Sequence, residues 1–368
     1  MEKEKEQVKE QGSANPVRVG ISIGDMNGIG PEVIIKALRD SRMLLDCTPV
    51  IYGSNKIFAH YKKVLNDNEF NYTSCRTAEE AQNRKVNLVN VWNDEVELEV
   101  GKATETGGKY AFLSLERATQ DLAAGKVDVL VTAPISKEAM GKSGFQFPGH
   151  TEYLAHLAGE PEALMILVAG TLRVALVTTH IPIKEVSTAL TREKILQKIK
   201  MFENSLKKDF GIIRPKIAVF GLNPHAGENG KMGTEEQEII TPAINMAKNE
   251  EIMAFGPFPA DGFFGSEGRH QFDGVLAMYH DQGLAAFKAL AFDDGVNYTA
   301  GLPIVRTSPD HGTAFDIAGQ NKASEQSFRS AIYQAIDVFR CRKMSKEMSA
   351  NPLPITVKEK RRSNNDIE

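Results

Sequence analysis

The chain has 368 residues, enough for two domains, and its mix of 42% hydrophobic and 25% charged residues is that of an ordinary globular protein. A formal net charge of -4 gives no electrostatic argument for nucleic acid or an anionic membrane surface, although a locally positive cleft stays open. Three scattered cysteines (Cys47, Cys75, Cys341) form no CxxC, which excludes a disulfide or cysteine-zinc scaffold and fits a reducing compartment.

Residues 1–15 are charged and lack an apolar signal core, so they are expected to be a disordered lead-in. No apolar run reaches membrane-spanning length, and the expected location is the cytoplasm. "VRVGISIG" predicts a strand and "PEVIIKALRD" a helix; "CTPVIYG" and "VNLVNVW" predict two more strands. "GKYAFLSLERATQDLAAGK" has helical period and leads into "VDVLVTAPI", a strand, and "TEYLAHLAG", a helix. "LMILVAG" and "LRVALVTTH" are close enough for a hairpin. "TREKILQKIKMFENSLKKDFG" is a strongly amphipathic helix. "PKIAVFGLNPH", "DGVLAMYH" and "GVNYTAG" return to strand, and "ASEQSFRSAIYQAIDVFRCRK" closes the chain as a long helix. This alternation predicts an α/β fold with a largely parallel core, made mixed by the hairpin. The charged end "KEKRRSNNDIE" is expected to be a solvated tail.

Between the first strand and helix lies "GDMNGIGPEV", residues 24–33. It lacks the Lys-Ser/Thr of a P-loop, and Gly24, Gly28 and Gly30 have the wrong spacing for GxGxxG. Pro31 suits a first helical turn. Glu32 favours the positive helix end but would repel a phosphate placed there. A glycine-rich strand-to-helix turn is the reading that survives, and Met26 and Asn27 have no explanation from sequence.

Three of the eight histidines, His180, His225 and His280, follow buried-strand patterns. Ligands of open α/β sheets bind outside the carboxyl ends of strands. Three imidazoles on one such rim are expected to share a divalent metal with an open coordination position. The plain alternative is that each caps a strand or satisfies a loop.

His150 and Thr151 stand at an expected helix start, where an N-cap and an anion site are both open readings. Lys288 follows His280 by eight residues in an apolar run, which puts the two on roughly one helix face and requires a partner for the ammonium. Asn297 and Arg306 follow, Arg being suited to bidentate contact with phosphate or carboxylate. Asp261 sits in a Pro/Gly-rich loop, where a turn role is the plain reading. In "SPDHGTAFDIAGQNKA", Gly312 and Gly319 permit close backbone approach to a ligand.

Together these stretches carry a resemblance. "GDMNGIGPEV" resembles the "GDGIGPEV" opening of isocitrate and isopropylmalate dehydrogenases, with an insertion. "VTAPISKEAM", "FPGHTEYLA", "LVTTHIPI", "LNPHAGENG", "MYHDQGLAAFK" and "RTSPDHGTAFDIAG", in order over about residues 17–340, resemble the 4-hydroxythreonine-4-phosphate dehydrogenase family of vitamin B6 synthesis. The resemblance implies a two-domain fold of the isopropylmalate dehydrogenase type, with the site in the interdomain cleft. It places domain 1, the nucleotide side, at 16–135 plus 290–345, domain 2 at 136–289, and a tail at 346–368. It also implies a homodimer whose active sites use residues of both subunits. His180, His225 and His280 are then metal ligands (zinc, magnesium, manganese or cobalt). His150, Thr151, Lys288, Asn297 and Arg306 are substrate contacts, and Lys288 or Asp261 is the candidate catalytic proton carrier. The "HGTAFDIAG" loop, with Gly312, Thr313, Asp316 and Gly319, lies against the adenosine of NAD or NADP.

The implied reaction oxidises 4-phosphooxy-L-threonine to 2-amino-3-oxo-4-phosphooxybutanoate, which decarboxylates to 3-amino-2-oxopropyl phosphate. The rival readings are a sister dehydrogenase for another phosphorylated hydroxy acid, such as 4-phosphoerythronate, and a non-catalytic sugar-phosphate or metal-binding protein. The sequence departs from the family pattern at "GDMNGIG", which replaces a Pro-Ala version of the loop, and at Gly262, where Thr is usual.

Overall fold

The structure, a computed structural model, describes residues 16–351. The lead-in assigned to 1–15 and most of the tail lie outside the described residues. Twelve strands form one sheet: β1 Val17–Ser22, β2 Cys47–Gly53, β3 Thr73–Cys75, β4 Asn87–Asn90, β5 Val129–Thr132 and β6 Leu164–Ala169 come first. They are followed by β7 Leu172–Leu176, β8 Ile217–Phe220, β9 Ala254–Phe258, β10 Gly274–Ala277, β11 Val296–Ala300 and β12 Arg306–Pro309. The spatial order is β3-β4-β2-β1-β5-β12-β11-β6-β7-β10-β8-β9. Both outer parts are parallel, and the antiparallel pairings β11–β12, β6–β11 and β6–β7 all lie in the middle. The expected hairpin is there, with Ile166 opposite Ala175 and Gly170 at positive φ in its turn.

Parallel strands covered on both faces need continuous apolar runs. Every residue of β2 is buried, and β1 is buried at all but one position. The long helices Glu105–Ala123 and Arg192–Lys208 and the closing helix Gln326–Ser349 supply buried apolar faces. The closing helix continues through 346–349, residues assigned from sequence to the tail. No described helix is long and apolar enough to cross a membrane.

The opening loop is a structural brace. The helix begins at Gly30 with Pro31 in its first turn. Gly24 has φ +67°, which a side chain would resist. Met26 is fully buried in the core. Asn27 ties the loop to the segment before the long helix: its Nδ2–H donates to Thr104 Oγ1 at 3.0 Å, and its Oδ1 accepts from Glu99 N–H at 2.9 Å. Glu32 is fully buried; its carboxylate pairs with Lys36 at 2.8 Å and accepts from Ala323 N–H at 3.0 Å. It binds the first helix to the approach of the last one.

Candidate active site

At the carboxyl ends of β5, β12, β7 and β10, across the join of the two parallel parts, a cavity of about 310 Å³ opens. Sheet topology puts ligand sites there. His150, Thr151, His180, His280, Lys288, Asn297, Arg306 and Gly312 all line it. A neighbouring groove of about 530 Å³ reaches the same place, sharing Thr151, Glu152 and His180.

Two of the three expected metal ligands meet. The rings of His180 and His280 have centroids 6.0 Å apart. His280 opens the helix His280–Ala291, and its Nδ1 lies 2.7 Å from Asp281 Oδ1. A carboxylate there accepts the Nδ1–H and leaves Nε2 with its lone pair for a ligand. His180 faces Glu152 Oε1 at 3.9 Å, and burial pushes its imidazole pKa below the ordinary value. The donor chemistry of two neighbouring imidazoles beside a cavity fits a divalent ion that takes further ligands.

His225 is elsewhere. Among the described residues no three His, Cys, Asp or Glu side chains gather as a metal site. Although β7, β10 and β8 are neighbours in the sheet, the loop after β8 turns His225 out of the cavity. Residues His225 to Asn229 all take left-handed backbone angles, φ 53, 50, 79, 42 and 56°. Non-glycine residues there are strained by about 1–2 kcal/mol each and need an external restraint. Glu236 provides one: its Oε1 accepts from the N–H of Leu222 and of Asn223, both at 2.7 Å. Asp261 also lies outside the cavity, exposed on the short helix Ala260–Phe263 that packs against the His225 loop. The nominated metal, substrate and proton-carrying residues thus form two groups, one in the cavity and one at the His225 loop and the helix beside it.

The deepest part of the cavity is built around Arg306, which is 3% exposed and has no carboxylate within 4.0 Å among the described residues. Burial lowers its pKa to about 10. Its Nε and Nη2 donate to Thr132 Oγ1 at 3.1 and 2.6 Å, Nη1 donates to Thr299 Oγ1 at 3.1 Å, and Nη2 also meets His150 Nδ1 at 3.1 Å. Most of its five N–H groups are therefore engaged, and the bidentate fork expected from sequence is not free. It acts as a fixed buried charge with no carboxylate in direct contact, attracted only at longer range by Glu152 of the same cavity.

Lys288 lies one face along from His280 as the spacing required, with Nζ 3.5 Å from Asp310 Oδ2. Burial raises the Asp310 carboxyl pKa, and Lys288 opposes that. Asn297 has a buried Oδ1 without a partner. Thr151 is inside the first turn rather than at its cap, which is Gly149. Of the residues expected at the nucleotide, Gly312 borders the cavity and Thr313 C=O accepts from Ile29 N–H at 3.0 Å. A side chain at Gly28 would press on that same carbonyl, so the opening loop buttresses this one. Gly319 has φ +72° and packs against Val100; Asp316 is exposed. Sequence reasoning missed Thr132, Thr299 and Lys137. Thr132 had a signal, a polar residue closing an apolar strand.

Comparison with known proteins places the chain in a family. The family model described as "Pyridoxal phosphate biosynthetic protein PdxA" matches residues 45–335. A 4-hydroxythreonine-4-phosphate dehydrogenase from Bacteroides thetaiotaomicron is 53% identical over 348 residues, 94% of this chain and 95% of that one. A D-threonate 4-phosphate dehydrogenase from Cupriavidus necator is 40% identical, over 87% of this chain and 96% of that one. The crystal structure of 4-hydroxythreonine-4-phosphate dehydrogenase from Klebsiella pneumoniae superposes with a TM-score of 0.77 at 36% identity, covering 89% of this chain and 98% of that one. Fold and relatives define an oxidoreductase of the dehydrogenase class. Within that class, the chain belongs to the pyridoxal phosphate biosynthetic protein PdxA family.

Proposed function

We propose that this enzyme oxidises the C3 hydroxyl of 4-phosphooxy-L-threonine with NAD or NADP, aided by a divalent metal, as a homodimer. The oxidation moves a hydride from C3 to the cofactor and releases the hydroxyl proton. The β-keto acid product, 2-amino-3-oxo-4-phosphooxybutanoate, then loses carbon dioxide to give 3-amino-2-oxopropyl phosphate. The observation that carries this reading is one cavity holding both a buried Arg306 with no carboxylate in direct contact and the His180–His280 pair. A buried cation with no carboxylate in direct contact favours an anionic ligand, as a phosphorylated hydroxy acid is.

His180 and His280 of one subunit would hold the metal together with His225 of a second copy. When bound, such an ion supplies Lewis-acid polarisation at a hydroxyl oxygen. The chain's own side chains do the rest. His150, Thr151 and Asn297 orient the substrate against the Arg306 charge. Lys288, set beside Asp310, would take the hydroxyl proton as its neutral amine, and Asp261 would reach the site from the second copy beside His225. Gly312, Thr313, Asp316 and Gly319 would border the adenosine. The cleft between domains at 16–135 plus 290–345 and 136–289 would hold the substrate.

The test is formation of reduced cofactor with 4-phosphooxy-L-threonine, D-threonate 4-phosphate and 4-phosphoerythronate, with metal chelated and restored. The proposal expects highest kcat/KM for 4-phosphooxy-L-threonine and loss of activity on chelation. A preference for either acid would move the chain to a sister activity, and turnover with none would favour a binding protein.

A further inference from the structure

Arg306 meets His150 through an N–H that can only donate. The His150 Nδ1, 3.1 Å from Arg306 Nη2, must therefore present its lone pair. A proton on Nδ1 would point at the guanidinium. The ring's other nitrogen, Nε2, is buried and has no partner. His150 itself is 9% exposed and lines the cavity. A buried N–H without a partner is costly, so this atom is waiting for an acceptor.

Thr132 fixes the arrangement. In the parallel pairing of β5 with β12, Arg306 is opposite Leu130, so Thr132, two residues on, projects from the same face. Its Oγ1 accepts from both Nε and Nη2 of Arg306 and lies 3.5 Å from His150 Nδ1. Thr299 on β11 takes Nη1 from the other side. The guanidinium cannot rotate without breaking these contacts.

We propose that Thr132 and Arg306 are positioning residues that hold His150 as a neutral imidazole protonated on Nε2. That N–H is the cavity's fixed donor to an anionic oxygen of the substrate. Burial first, then the Arg306 and Lys137 charges, drive the His150 pKa well below its ordinary value, in the same direction. Only the identity of the anion rests on the function proposed above.

The test uses the full chain with 13C-labelled histidine, and the His150 ring signals are assigned by their loss in His150→Gln. The expected result is a neutral Nε2–H tautomer that stays unchanged from about pH 5.5 to about pH 8.5, where a free histidine titrates. Titration in that window, or an Nδ1–H tautomer, would overturn the proposal. Thr132→Val should give mixed tautomer signals and raise KM for the phosphorylated substrate about tenfold, with kcat within about twofold and the cofactor KM unchanged. Thr132→Ser should restore both. Unchanged signals and KM in Thr132→Val, or no rescue by Ser, would also overturn it. If Thr132→Val does not fold, the pH series on the unmutated chain decides. The ring signals are read without substrate, so a failed dehydrogenase assay with these signals intact sinks the proposed reaction and leaves the tautomer lock standing.

Discussion

The cavity and the His225 loop hold their polar side chains in opposite ways. In the cavity, side chains fix one another: Thr132 and Thr299 hold Arg306, Arg306 faces His150, and Asp310 pairs with Lys288. On the loop, the backbone does the holding, through a left-handed run anchored by Glu236, while the imidazole of His225 stays exposed. The cavity has two of the three nominated metal-ligand histidines, His180 and His280, and lacks the third; the loop has that histidine, His225, and no cavity. In the proposed reading each region completes the other, joined by a second copy of the chain.

The largest effects should come from breaking either half of that pair. His180→Ala and His225→Ala should each lower turnover by at least about 10³-fold and reduce bound metal, measured by steady-state kinetics and elemental analysis. A His225→Ala chain that keeps metal and near-normal turnover would remove the loop from the site. Next in size is Arg306→Lys. An ammonium cannot reproduce the contacts to Thr132, Thr299 and His150, so kcat/KM should fall about 10²-fold, mainly through KM. Glu236→Ala releases the restraint on the loop without touching the cavity. It should weaken metal affinity about 10-fold while leaving substrate KM within about twofold, which separates loop from cavity directly.

The smallest effect concerns the brace behind the cavity. Asp25 is fully buried, and burial raises its carboxyl pKa from 3.8 to about 6. A raised folded-state pKa means that its stabilising contribution is complete below about pH 4 and lost as pH rises through about 6. Between about pH 5 and about pH 7.5 the loss attributable to this group is about 1 kcal/mol. Asp25→Asn should lack that part of the pH dependence in urea unfolding, and equal slopes for the two proteins would contradict it.

Much of this was legible from the chain. The apolar strands and amphipathic helices announced an α/β sheet because burial on both faces demands continuous apolar runs. The hairpin β6–β7 and the helix bearing His280 and Lys288 follow from local pattern alone. β12 did not, because Arg306, Thr307 and Ser308 are polar residues in a buried central strand, and no hydrophobic periodicity marks a strand that carries the site. The role of Met26 and Asn27 was likewise hidden, since core packing and a hydrogen bond to Thr104 far along the chain leave no local trace. The placement of three histidines after strand patterns pointed to a shared metal; that the chain gathers only two of them depends on backbone angles after β8 that sequence does not encode visibly.

Subunit complementation tests the two-region site most directly. His180→Ala and His225→Ala homodimers are dissociated, mixed in equal amounts and reassembled, and dehydrogenase activity is measured. In a mixed dimer one site carries both substitutions and the other carries neither. The account predicts recovery to about one quarter of the unmutated activity, since about half the dimers are mixed and each regains one of two sites. No recovery, with mixed dimers shown to form, would contradict a site assembled from the cavity of one copy and the loop of another.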